Sequence, residues 1–196
     1  MTTIPLFPLN TVLFPEGLLP LRIFEPRYVD MVSECFRSGS GFGVCLIREG
    51  KETGQAAECY DIGTLAHIID WDQGDDGLLG ITSQGEERFR ILAKRIQPNQ
   101  LLVGDIELID ECDDEVLPVE FQLMSDLLRS IVEKFELPYR SEHENFMDAC
   151  WVGYRLAELL PIEPKDKQML LEIDNPVQRL EKLQSALEHV NTDHIR

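Results

Sequence analysis

No apolar run in this sequence approaches the roughly 20 residues that a membrane-spanning helix needs. Nor does it open on a basic segment followed by an apolar core, so no secretory signal is read and the expected location is the cytoplasm, away from membranes. Cysteine is sparse and irregular: Cys35, Cys45, Cys59, Cys112 and Cys150 are odd in number and contain no C-x-x-C pair. That pattern excludes a disulfide framework and predicts reduced, mostly buried thiols. The four histidines share no metal-ligand spacing with them, so no metal site is expected. Basic residues are also scarce, 18 Lys and Arg against 36 Asp and Glu, for a net charge of −18. The imbalance is spread along the chain, with 9 basic and 16 acidic side chains in residues 1–109 and 9 and 20 in residues 110–196. Such a field repels phosphate backbones, so a nucleic-acid partner is not expected. Arg88, Arg90, Lys94 and Arg95 form the one basic stretch, which reads as a solvated strand face.

Catalytic signatures are missing too. The nearest approach to a phosphate-binding loop, Gly50-Lys51-Glu52, has Cys45 where the first glycine belongs and Glu52 where a magnesium-holding hydroxyl belongs. No serine lies in a G-x-S-x-G elbow, and no H-E-x-x-H occurs. With 36 carboxylates, a glycosidase-type pair cannot be inferred from proximity in sequence. No cofactor is implied.

What remains is a chain of 196 residues, enough for one good core or two closely packed subdomains, with a normal hydrophobic fraction of 43%. Residues 1–110 read as β-rich. Phe42–Ile47 is a nearly continuous apolar run, as for a strand buried on both faces. Gly63–Trp71 alternates, placing Leu65, His67, Ile69 and Trp71 on one side. Gly74-Asp75-Asp76-Gly77 then predicts a hairpin turn, with Leu78–Ser83 as the returning strand. Phe89, Ile91 and Ala93 alternate as a further half-buried strand, and Leu101–Ile109 supplies another. One helix, about Pro26–Arg37, interrupts this half, with Pro26 in its first turn.

The period changes near Asp110, and residues 111–196 read as helical. Phe121, Met124, Leu128, Ile131 and Phe135 share one helical face. Phe146, Ala149, Gly153, Leu156 and Leu160 share another. Pro138 and Pro161 end these helices, and two more begin near Pro164 and Asn175-Pro176, the last turning Leu180, Leu183, Leu187 and Val190 inward. The acidic run Asp110–Glu115 marks the junction and reads as a solvated linker.

His67 weighs more as a histidine bonded at the end of a sheet than as an acid–base group. Trp71 and Trp151 read first as packing aromatics, although either ring has the contact area to line a peptide groove.

Two stretches, Pro5–Tyr28 and Gly63–Ile91, carry a family resemblance. Pro5-Leu6-Phe7-Pro8-Leu9, Phe14-Pro15-Glu16-Gly17 and Ile23-Phe24-Glu25-Pro26-Arg27-Tyr28 resemble the opening strand, first turn and helix entry of the N-terminal substrate-binding domain of ATP-dependent Lon proteases. Gly63-Thr64 through Ile68, then Asp76-Gly77 and Gly85–Ile91 with Arg88 and Phe89, resemble its central strand and the hairpin ending in G-x-x-R-F-x-I. Lys167–Glu172 and Arg179–Leu183 resemble its final two helices. The resemblance is to small stand-alone proteins of this type. The resemblance implies an α+β fold, a PUA-like six-stranded pseudo-barrel (1–110) followed by a C-terminal helical bundle (111–196).

It also implies a non-catalytic module that binds an unfolded polypeptide or a specific protein partner. Lon's ATPase and its serine–lysine protease lie in later domains, whose motifs are not matched here. The expected contact surface is the seam between barrel and bundle, with Tyr28, Trp71, Arg88, Trp151 and Tyr154 as its residues. The alternatives are a regulatory or adaptor subunit of an ATP-dependent proteolytic complex and, by fold-level analogy that the net charge opposes, an RNA-binding protein.

Overall fold

The computed structural model describes residues 2–74, 76–110, 115–135, 137, 139 and 145–193, the last six of these by their backbone alone. Asp75, Cys112, most of the acidic run, Pro138 and the Val190 side chain therefore lie outside the described residues. The chain divides into two compact units, Met1–Asp110 and Glu111–Arg196.

The first unit holds seven strands and a helix, where six strands were expected. They are β1 (Thr2–Leu9), β2 (Leu18–Ile23), α1 (Pro26–Ser38), β3 (Phe42–Glu49), β4 (Glu58–Cys59), β5 (Ile62–Gln73), β6 (Leu79–Ile96) and β7 (Leu102–Leu108). The strands run in the order β1-β7-β6-β5-β3-β4, and β2 pairs with β6. All pairings are antiparallel except that of β1 with β3, which closes the path on itself. The apolar run in β3 has its reason here. Phe42 and Val44 enter one core with Phe7, Met31, Val32, Ala66 and Ile81. Cys45 enters the other, with Leu6, Phe89 and Ile106. A strand covered on both faces has no polar side to show.

Helix α1 starts at Pro26, whose missing N–H costs nothing in the first turn. It ends at Gly39, which takes the left-handed conformation (φ 67°) while its N–H donates to the Cys35 carbonyl. The motif before it is structural. Arg27 donates to the Gln100 carbonyl (2.8 Å), pairs with Glu25 (3.0 Å) and lies 4.6 Å from the centre of the Tyr28 ring, which stacks on Phe7.

The two strands expected at Leu78–Ser83 and around Phe89 are one 18-residue strand, β6. Gly85 between them is a point of close approach rather than a break. Its N–H donates to the Gly17 carbonyl, its carbonyl accepts from the Glu16 N–H, and a β-carbon there would lie 2.3 Å from the Phe14 oxygen. On its other edge β6 pairs with β5 from Leu79 to Arg90, the hairpin between them turning through Gly74 and Gly77.

The second unit consists of short 3-10 turns at Val119–Phe121 and Asn145–Met147 and the helices α2 (Gln122–Phe135), α3 (Ala149–Leu159), α4 (Pro164–Glu172) and α5 (Pro176–Asp193). Asp148 caps α3 by accepting from the Cys150 N–H (2.8 Å). Every residue of α3 from Ala149 to Ala157 is buried, so it is the axis of this unit. Arg179 of α5 crosses it. The guanidinium lies 3.9 Å from the centre of the Tyr154 ring, donates to the Tyr154 hydroxyl and to the Leu170 carbonyl (both 3.1 Å), and packs its stem where Gly153 leaves room.

Cys35, Cys45, Cys59 and Cys150 are buried, and none of the four is in a disulfide. Among the described residues no helix is long and apolar enough to cross a membrane.

Candidate functional site

Of the five residues that sequence reasoning assigned to a contact surface, four are buried. Tyr28 is packed on Phe7, Arg88 sits in β6 opposite Thr64 with none of its surface accessible, and Trp151 and Tyr154 belong to the enclosed helix α3. Trp151 packs edge-on against Phe146, with ring centres 5.1 Å apart. Burial also removes Arg88 from the solvated face expected for the basic stretch, while Lys94 pairs with Asp61 and Arg95 with Asp105. Trp71 differs, being 62% exposed. The five are not gathered on one surface within either unit.

The position of Trp71 follows from an irregularity in β5. Ile68 lies opposite Ser83 and Asp70 opposite Thr82, so Ile69 is an extra residue, a bulge. Strict alternation from Leu65 would set Trp71 beside His67. The bulge sets it instead opposite Ile81, on the face of Ala66 and Ile68. That is the face on which α1 packs, and there the Trp71 ring meets Phe36 edge-on, with centres 6.4 Å apart. His67, on the other face, places its Nδ1 2.8 Å from a Glu86 carboxylate oxygen.

Phe36 was not among the residues singled out from the sequence. It is 47% exposed and stands off the buried stripe of α1, which runs through Tyr28, Met31, Val32 and Cys35. A large aromatic out of phase with its own helix's apolar face was the available signal. Together Phe36 and Trp71 form an uncovered aromatic pair, and Ile69, two residues before Trp71, is also exposed.

The register also fixes what lies on the opposite face. The row Leu21–Ile81–Trp71 is flanked by the rows Pro20–Thr82–Asp70 and Arg22–Gly80–Asp72, which point the other way. A hollow of about 510 Å³ opens along this part of β2, β5 and β6. Gly80 supplies no side chain to fill it, and the Asp72 carboxylate leans over that glycine. Asp76 at the turn pairs with Arg22, and its carboxyl lies below the usual range because it accepts from the Leu78 N–H and faces the Arg22 guanidinium. Asp70 accepts from the N–H of Trp71 (2.9 Å). Aromatic contact area and carboxylates thus occupy two faces of one three-stranded ribbon. Among the described residues no three His, Cys, Asp or Glu side chains are arranged to hold a metal.

Comparison with known proteins gives this geometry a context. A family model described as the ATP-dependent protease La (LON) substrate-binding domain matches residues 3–189. The crystal structure of a Lon N-terminal domain protein from Xanthomonas campestris superposes with a TM-score of 0.81 at 38% identity, covering 94% of this chain and 98% of that one. The N-terminal domain of a Mycobacterium avium complex Lon protease shares the fold, with a TM-score of 0.66 at 16% identity over 93% of this chain and 96% of that one. The Lon protease of Cytophaga hutchinsonii is 24% identical over 192 residues, 91% of this chain but 23% of that protein. The chain thus spans about a quarter of the length of the curated Lon proteases it matches.

Proposed function

This chain belongs to the family of LON substrate-binding domains, and on that premise we propose that it is a non-catalytic module that binds unfolded polypeptide or a dedicated protein partner. The observation that carries the reading is the uncovered pair Trp71–Phe36. Exposed aromatics supply large, rigid contact area at low entropic cost, the property that binding surfaces concentrate. The proposed contact is therefore Trp71 with Phe36 and Ile69. Tyr28, Arg88, Trp151 and Tyr154 are buried packing residues, each within its own unit. We propose further that the closed path of β1, β7, β6, β5 and β3 is the PUA-like pseudo-barrel of this family, and that the protein works in the cytoplasm. A role as regulatory or adaptor subunit beside an ATP-dependent protease is the second reading, favoured by the family alone.

The test is fluorescence anisotropy of a labelled, permanently unfolded polypeptide and of its folded counterpart, titrated with the full chain. Saturable binding to the unfolded form, weakened by Trp71→Ala and Phe36→Ala without a fall in melting temperature, is the expected result. Binding to neither form turns the search to a single partner, sought by pull-down.

A further inference from the structure

We infer that the segments this surface prefers carry a lysine or arginine next to an aromatic or large aliphatic residue, an inference that rests on the polypeptide-binding reading above. The ribbon alternates between two chemistries. Trp71 presents its ring to one face, and its two chain neighbours, Asp70 and Asp72, present carboxylates to the other. Trp71 lines the same hollow as Asp70 and Asp72, so a chain that lays an apolar side chain on Trp71 and Phe36 and crosses this end of the ribbon comes near both charges, at a separation comparable to the screening length of about 8 Å at physiological salt.

Among the described residues neither Asp70 nor Asp72 has a cationic partner, and Arg22, the one cation lining the hollow, is engaged by Asp76. The hollow of about 510 Å³ has room for a long basic side chain, and Gly80 leaves its floor open. The field of the rest of the molecule has the same sign, with a net charge of −18. Charge complementarity thus selects a basic client. An acidic one meets repulsion from the hairpin before its apolar groups can reach the ring.

Three labelled, unstructured peptides test this. They have equal length and identical apolar residues, flanked by lysine, serine or glutamate, and are titrated with the full chain at low and high salt. At low salt the lysine peptide is expected to bind about threefold to tenfold more tightly than the glutamate peptide, the range set by two solvent-exposed ion pairs. The gap should close at high salt. The double variant Asp70→Asn, Asp72→Asn should erase the preference while retaining apolar binding, and Trp71→Ala should weaken all three peptides alike. Arg22→Gln, which removes the opposing cation, should widen the preference. That variant gives an independent reading if the double variant fails to fold. Equal affinity for the lysine and glutamate peptides, or a preference unchanged in the charge variants, overturns the inference and leaves the polypeptide-binding reading standing. Failure of all three peptides to bind overturns both.

Discussion

The ring of Phe89 in β6 lies against the backbone of Gly63 in β5, its Cζ 2.8 Å from where a β-carbon on that glycine would stand. The same carbon would come 2.4 Å from the Val44 carbonyl oxygen, which is backbone and cannot turn aside. Gly63→Ala is therefore an overpacking change, expected to cost about 1–3 kcal/mol. Urea denaturation checks it: the midpoint should fall with the slope unchanged. An unchanged midpoint would show that the sheet yields at this point.

Arg179 holds the second unit together through its donors. Its guanidinium serves the Leu170 and Ile173 carbonyls and the Tyr154 hydroxyl from a fully buried position. Arg179→Met keeps the volume and strands these acceptors, for an expected loss of about 2–4 kcal/mol. Arg179→Lys should recover only part of it, since an ammonium cannot reproduce the planar fork. If Met proves as stable as Arg, the hydrogen bonds contribute nothing net.

Burial pushes the Tyr28 phenol up to about 12, against the lowering pull of the Arg27 guanidinium. The native state thus disfavours the phenolate, whose unfolded counterpart forms near pH 10. The stability linked to this group is complete below about pH 10 and is lost as pH rises toward 12. Melts across that window should show a steeper decline for the wild type than for Tyr28→Phe. Parallel curves would mean that the phenol ionises freely in the native state.

The two tryptophans should report separately. Trp71 is largely exposed and Trp151 is 7% exposed. Trp71→Phe should shift emission to shorter wavelength and reduce acrylamide quenching, with stability changed by no more than about 0.5 kcal/mol. Trp151→Phe should do the reverse and destabilise. Identical quenching of the two single-tryptophan proteins would contradict this assignment of exposure.

Much of the fold was legible because periodicity and punctuation agreed. Pro26 and the apolar positions at 28, 31, 32 and 35 located α1, and the turn chemistry of Gly74 and Gly77 located the hairpin. Helices α2 to α5 followed from their apolar faces. The proposed contact surface was harder to read. A tyrosine, a tryptophan or an arginine looks alike in sequence whether it packs or binds, and four of the five candidates pack. Phe36 was passed over because it sits one residue from the buried stripe, and the face of Trp71 was misread because a bulge leaves no mark in an alternating pattern.

That bulge carries a consequence for how this surface varies among relatives. The face Trp71 takes is decided by its partner Ile81 across the hairpin rather than by the count of residues before it in β5. Removing Ile69 would leave Ile68 opposite Ser83 and Trp71 opposite Ile81, now in plain alternation. A gap at this point of an alignment is thus silent, because the looped-out residue is slack that absorbs a change in length before it reaches the aromatic.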